Sequence, residues 1–350
     1  MENTSINRTG KVQTVCGLVE PSALGMTLAH EHLLVDQSFA VRQIAATPSE
    51  RAKWDQPITL QNRYDVMANG HLYRTNLIID NIDEAIEEVG LFRRAGGGTI
   101  VDATSVGVGY DPAGLLAISA GSYTHVVMGG GYYTQVTHPP EIARQSVEEI
   151  AETIAKQVLD GSNGVRAGII GEIGLSWPVH PDEAKVLRAA VHAQKVTGVA
   201  LTVHPGRNSS APLEAMRLIE QAGGDPARTI MDHVDNRIFD RETMRELAQT
   251  GCCLEFDLFG KEDSHSWYPP TWPNDATRVD RMLWMMEDGY LDRLLMAHDC
   301  CTKSRLSKYG GPGLHHIPLR VIPLMRAMGF RQAEIEKILT HNPARALTII

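Results

Sequence analysis

Two histidines one residue apart, His30 and His32, interrupt the otherwise apolar run TLAHEHLLVD at residues 27–36. On an extended strand alternate side chains share a face, so both imidazoles would point together while Glu31 points away. Such a pair is either a satisfied core pair or the start of a binding site, and a motif this short does not decide. Further candidates stand at the ends of other short apolar runs: Glu172 in GEIG, His204 in VHPGR, His233 in DHVDN and Asp299 in AHD. Four imidazoles and two carboxylates suit zinc or a related first-row divalent metal better than magnesium or calcium. Six ligands exceed what one open tetrahedral zinc takes, and fit two metals that share a carboxylate and a water. A hydroxide held there is a nucleophile at neutral pH, because zinc lowers the pKa of its water from about 15.7 to about 7. Asp299 beside it can take the proton and pass it to a leaving group. That matters most for an amide, whose amine leaves poorly unless protonated.

A fold must bring these positions together. Eight short β-branched or apolar runs are candidate strands: 27–35, 98–104, 125–133, 167–174, 200–204, 229–233, 252–259 and 294–299. Between them lie segments with apolar residues three and four apart, at 81–96, 148–161, 181–198, 211–224, 240–251 and 277–290, several of them ending at Gly. Strand–helix alternation predicts a parallel sheet, and eight such units predict an α/β fold of the closed (β/α)8 TIM-barrel type, with residues 1–350 as one domain. In such barrels functional groups gather at the C-terminal strand ends, which is where the six candidates fall. The long stretch 36–80, between the first strand and the next helix, reads as an insertion over one end of the barrel, either a lid or an interface.

Composition narrows the function classes. The 350 residues are 43% hydrophobic and 21% charged, with a net charge of −9 and no Lys/Arg block, which argues against a nucleic-acid partner. The beginning MENTSINRTGKVQTV has no apolar signal core, and no apolar run is long enough to cross a bilayer, so the expectation is no membrane association and a cytoplasmic location. The five cysteines are Cys16 and the pairs Cys252–Cys253 and Cys300–Cys301. With no C-x-x-C among them, they predict neither disulfides nor a zinc ribbon, and the adjacent pairs read as small buried side chains on opposite strand faces.

The phrases AHEH, GEIG, VHPGR, DHVDN, AHD and HNPARAL, spread over essentially the whole chain, resemble the phosphotriesterase family of the amidohydrolase superfamily. GKVQTVCGLVEPSALGMTLAHEHL, GEIGLSWP, HPGRN, LEFDLFG, LLMAHD and KYGGPG are similar to its animal phosphotriesterase-related branch. The resemblance implies that His30, His32 and Asp299 hold a buried metal and that His204 and His233 hold a more exposed one. Glu172 stands where phosphotriesterases proper carry a carboxylated lysine, and would bridge the pair without needing carbon dioxide. That departure argues against phosphotriesterase activity while leaving a binuclear centre intact. The same branch is associated with hydrolysis of N-acyl taurines, above all N-acetyltaurine, to taurine and the acid.

Substrate contacts are read from the loops. Arg207, three residues after His204, would clamp an anionic headgroup by charge-assisted bonds, or else sit in a surface salt bridge. A small anionic N-acyl substrate fits such a site, whether its anion is a sulfonate or the carboxylate of an N-acyl amino acid. Tyr133 in GGGYY, Trp177 after the fourth strand and Tyr309 beside GGPG are further wall candidates, with plain packing as the alternative. Glu255 and Asp257 share a strand face, and either is a candidate to hydrogen-bond a ligand histidine, while His298 would face away from the site. The expectation is therefore an amidohydrolase with two divalent metals, zinc first, and Asp299 as proton shuttle. A lactonase or organophosphate triesterase is the rival hydrolase, and a metal-binding partner or sensor without turnover is the rival of another class. Relatives are often dimers, so a homodimer is an open expectation.

Overall fold

A computed structural model describes residues 7–43, 47–262 and 272–350. Eight parallel strands follow one another in chain order: β1 (Met26–Glu31), β2 (Gly97–Asp102), β3 (His125–Gly130), β4 (Ile169–Gly174), β5 (Leu201–His204), β6 (Thr229–Met231), β7 (Cys253–Phe256) and β8 (Leu294–Met296). Each pairs with its sequence neighbour, as in Leu28 beside Ile100 and Met231 beside Leu254. The backbone N–H of Asp299 donates to the carbonyl of His30 at 3.2 Å, which sets the end of β8 beside β1 and closes the sheet. The α/β barrel expected from the sequence is the observed architecture.

Alternation along the strands builds two cores. One inward-facing residue per unit, Ala29, Val101, Val127, Ile169, Ala200, Ile230, Cys253 and Leu295, packs into a single cluster inside the barrel. Their neighbours, such as Leu28, Ile100, Ile170, Val203 and Leu254, face outward into the larger core beneath the helices. Cys252 belongs to the outer core and Cys253 to the inner one, so the adjacent thiols do face opposite ways. All five cysteines are free, and Cys16 is the exposed one.

Helices α1 (Ile82–Arg94), α2 (Pro112–Ser122), α3 (Val147–Leu159), α4 (Pro181–Thr197), α5 (Ala211–Gln221), α6 (Arg241–Gln249) and α7 (Asp275–Glu287) form the outer layer. Local sequence starts and stops them. Asn81 caps α1 through the N–H of Glu84, Ser146 and Glu149 form a capping box on α3, and Gly198 ends α4 in a left-handed conformation. The six amphipathic segments expected from periodicity fall on six of these helices. Helix α2 was not among them, because PAGLLAISAGS is apolar or small on every side and has no polar face to set a period. After β8 the short helices Ile317–Val321 to Asn342–Leu347 return beneath the barrel, where Asn342 Nδ2 donates to the carbonyls of Leu291 and Leu294, each at 2.9 Å. Ala346 and Leu347 there join the inner core.

Each of the eight strands is shorter than the run expected for it, as β3 and β7 show. The chain ends β3 at Gly130 and turns at Gly131 (φ 107°), with Tyr132 still bridging Val106 in parallel register, and it leaves β7 after Phe256, so Asp257 stands at the barrel mouth. The described residues of the stretch 36–80 fold as short helical turns, closed by an antiparallel pairing of Val35–Asp36 with Ile78–Ile79, and bind the mouth. Arg63 Nη2 donates to the carbonyls of Ser304 and Gly310, each at 2.9 Å, and Asn76 accepts the N–H of Ser304 at 2.8 Å. Among the described residues no helix is long and apolar enough to cross a membrane.

Candidate metal centre

The strand ends deliver the imidazoles to one point. His30 and His32 lie 5.4 Å apart by ring centroids at the end of β1, and both are buried. Glu31 between them points out of the site, where its carboxylate accepts the N–H groups of His298 (2.8 Å) and Cys300 (3.0 Å) and bonds His298 Nδ1 at 2.6 Å. One acidic side chain thus locks the end of β8, and with it Asp299, against β1. His298 faces away as alternation requires, its Nε2 taking the N–H of Ile317 at 3.2 Å.

Glu172 sits between two sets of donors. Its Oε1 lies 3.3 Å from His32 Nε2, while its Oε2 lies 3.0 Å from His204 Nδ1, 3.6 Å from His233 Nε2 and 3.8 Å from His30 Nε2. Among the described residues four groups of buried donors have their ligand atoms within 4.8 Å of one another; two share Glu172, His30–His32–Glu172 and Glu172–His204–His233, and two lie behind His30, His30–His233–Asp257 and His30–Asp232–Glu255–Asp257. Asp299 stands beside the first set, its Oδ1 3.3 Å from His32 Nε2. Gly171 makes the placement of Glu172 feasible: at φ 116° a Cβ there would lie 2.2 Å from the carbonyl oxygen of Thr202.

His233 and Asp299 adopt left-handed conformations, φ 58° and 47°, that cost non-glycine residues energy and are held here by hydrogen bonds. The Asp299 N–H is held by His30, and the His233 N–H donates to Asp257 Oδ2 at 2.9 Å. Asp257 Oδ1 also meets His233 Nδ1 at 2.8 Å, and Thr104 Oγ1 meets His32 Nδ1 at 2.9 Å. With Nδ1 donating in each ring, the Nε2 lone pair is left for a metal. Asp102 in turn holds this corner by accepting the N–H groups of Leu33 (2.7 Å) and Thr104 (3.1 Å).

The electrostatics match a cation site. Burial opposes charge on every imidazole. Even so, Asp299 and Glu172 push His32 up to about 10, and Asp257 and Glu172 push His233 up to about 9. Glu172, Asp232 and Asp257 likewise hold His30 well above its ordinary value. Burial and the adjacent His233, whose Nε2 is 2.7 Å from His204 Nδ1, depress His204 to about 3. Burial also opposes charge on Glu172 and Asp299, but the surrounding imidazoles hold both carboxyls well below the usual range. Behind His30, burial and then the carboxylate of Asp232 keep Glu255 well above that range. Among the described residues neither nitrogen of His30 has a hydrogen-bond partner, although both are sealed from solvent. A buried imidazole left unsatisfied among carboxylates, within a nitrogen- and oxygen-rich donor set, fits a divalent metal pair.

The centre opens into a cavity of about 460 Å³. Tyr133, Trp177 and Arg207 line it, as the sequence led one to expect, and the insertion adds Gln37, Phe39, Ala40 and Leu77. The Tyr133 hydroxyl lies 3.3 Å from His204 Nδ1. Tyr309 is a correction: it is absent from the cavity wall, because its hydroxyl donates to Glu84 on α1 at 2.8 Å. Sequence reasoning left open which of Glu255 and Asp257 would brace a histidine, and the structure selects Asp257. It missed Asp102 and Thr104, for which the strand-end position of VDAT was an available signal, and the cavity residue Arg237, for which a lone loop arginine gave none.

Comparison with known proteins agrees with this geometry. The model of the Phosphotriesterase family matches residues 10–347. A protein of Bos taurus named N-acetyltaurine hydrolase is 41% identical over 344 residues, which span 97% of this chain and 98% of the relative. A crystal structure of a resiniferatoxin-binding protein from Rhodobacter sphaeroides superposes with a TM-score of 0.93 at 35% identity, covering 97% of this chain and 95% of the other. The phosphotriesterase homology protein of Escherichia coli, solved with phosphate in its active site, superposes with a TM-score of 0.77 at 25% identity, covering 93% and 99%.

Proposed function

The chain belongs to the phosphotriesterase family, and from that membership we propose that it is a metal-dependent hydrolase cleaving the C–N bond of small anionic N-acyl amides, with N-acetyltaurine, split to taurine and acetate, as its substrate. The observation that carries the reading is the placement of Glu172: its carboxylate belongs to two groups of three buried donors, Oε1 facing His32 and Oε2 facing His204, His233 and His30, at the floor of a cavity with an arginine on its wall. His30, His32 and Asp299 would hold one divalent metal and His204 and His233 the other, with Glu172 between them. Zinc is the metal proposed, since four imidazoles dominate the donor set. When bound, such a pair supplies a water-derived nucleophile at neutral pH and Lewis acidity toward the amide carbonyl.

The chain's own residues supply the rest. Asp299, kept ionised by the imidazoles around it, is placed to accept a proton at a carboxylate oxygen and return it to the departing amine nitrogen. Arg207 on the cavity wall pairs with the anionic headgroup and so sets the amide's reach toward Glu172 and Asp299. Tyr133 and the half-exposed Trp177 enclose the acyl end and limit water access.

Release of free taurine from N-acetyltaurine by the zinc-loaded protein tests the proposal, with lactones and an organophosphate triester assayed beside it. Turnover should require metal and should fall about 10²–10⁴-fold in Asp299→Asn, the range for loss of a general acid–base group. A protein verified to hold two metals that releases no taurine yet opens lactones would overturn the amide assignment in favour of the lactonase. Metal retention with no turnover on any of them would favour a binding protein.

A further inference from the structure

Arg237 stands in the short turn Val234–Arg237 that follows His233, and it is only 3% exposed. Its Nε donates to the carbonyls of Pro205 (3.3 Å) and Gly206 (3.1 Å), and its Nη1 donates to the side-chain oxygen of Asn236. All three acceptors are neutral, and among the described residues no acceptor is found for Nη2. Pro205 and Gly206 directly precede Arg207, so one guanidinium grips the loop that presents the other. Both line the cavity above the metal centre. A buried guanidinium bonded only to neutral groups, next to a second cation, is unfavourable unless an anion completes the site. Burial and then the neighbouring Arg207 push Arg237 down to about 10, against the pull of Asp257, Tyr133 and Asp235.

We propose that Arg237 and Arg207 form one anion subsite that selects a sulfonate headgroup over a carboxylate. The choice of headgroups rests on the amide reading above. A carboxylate has two oxygens in a plane, and a single guanidinium fork satisfies both. A sulfonate has three equivalent oxygens arranged about sulfur. Guanidiniums arriving from the ends of two successive strands, β5 and β6, can therefore each find an acceptor on the same group. Arg237 then reads the oxygen that a carboxylate lacks. A residue that only fastened the Arg207 loop would affect both headgroups alike.

Calorimetric binding of propane-1-sulfonate and butyrate to the zinc-loaded protein separates the two roles, because it needs no turnover. Losing one charge-assisted contact corresponds to about 10–150-fold. Arg237→Gln should weaken propane-1-sulfonate by that factor and butyrate by less than about threefold. Arg237→Lys, which keeps the charge but not the fork, serves if the glutamine variant fails to fold, and should show the same selective loss in smaller measure. In turnover, the ratio of kcat/KM for N-acetyltaurine over N-acetyl-β-alanine should fall in both variants through KM. An equal loss for the two headgroups, or none, would overturn the subsite. A sulfonate-selective loss in a protein that cleaves no amide would support the subsite while sinking the amide reading.

Discussion

Replacing Asp257 by asparagine isolates one brace of the metal centre. Both carboxylate oxygens are used on His233, Oδ2 accepting the backbone N–H at 2.9 Å and Oδ1 meeting Nδ1 at 2.8 Å. An amide keeps one acceptor and turns the other position into a donor, so it cannot serve both contacts. If its oxygen stays on the N–H, its NH2 faces Nδ1 and favours the tautomer protonated at Nε2, the nitrogen that points to Glu172. Loss of one charge-assisted hydrogen bond costs about 1.5–3 kcal/mol. At about 1.4 kcal/mol per decade that is roughly 10–150-fold in affinity for the metal on the His204–His233 side. Competition between protein and a chelating dye for zinc measures this directly, and activity at limiting and excess zinc should show rescue at excess. The fold should tolerate the change, since the charge removed is one that crowds Glu255 and Asp235. An Asp257→Asn protein that binds its second zinc as tightly as the parent, and is as active at limiting zinc, would refute the reasoning.

Other perturbations have equally definite outcomes. Chelation should abolish hydrolysis and lower Tm. At free zinc about 1,000 times Kd the bound metal contributes about 4.1 kcal/mol. With an unfolding entropy of about 2.1 cal/mol/K per residue, a chain of this length should lose about 5–6 °C for each metal removed, about 11 °C for the pair, by scanning calorimetry. Glu172→Gln should weaken both metals together, with at least about a 100-fold loss of activity at limiting zinc, whereas loss of one metal alone by elemental analysis would deny the shared carboxylate. Asp288 is held at about 2 by hydrogen bonds from Arg241 and Arg245, against an unfolded value of about 3.9. Its folded value is the lower one, so its contribution is present above about pH 4 and is lost as the pH falls through about 2. Acid unfolding of Asp288→Asn should accordingly show a shallower pH dependence between those limits, and an unchanged slope would contradict the ion-pair assignment.

The barrel was legible because eight apolar runs alternate with helical periods, and because six residues of metal-ligating types, four His, one Glu and one Asp, fall on or at the ends of those runs. Alternation alone oriented His30, Glu31 and His32 correctly, and with them His298 against Asp299. Periodicity failed on α2, whose lack of a polar face hides it. It also overran the strands, as at β3, which ends at Gly130 before the turn at Gly131, and at β7, which ends at Phe256 before the mouth residue Asp257. Contacts between distant loops left no trace in the chain. Nothing local to Tyr309 says that Glu84 will take its hydroxyl, and nothing local to Arg237 says that the Pro205–Gly206 carbonyls will draw it into the cavity wall. Side-chain direction follows from secondary structure, but loop-to-loop pairing follows only from the assembled barrel.

Anomalous diffraction at the zinc edge, on crystals grown with zinc, tests the shared-carboxylate centre most directly. Two peaks are expected on opposite sides of the Glu172 carboxylate, one among His30, His32 and Asp299 and the other between His204 and His233. A single peak, or a pair that does not share Glu172, would contradict it.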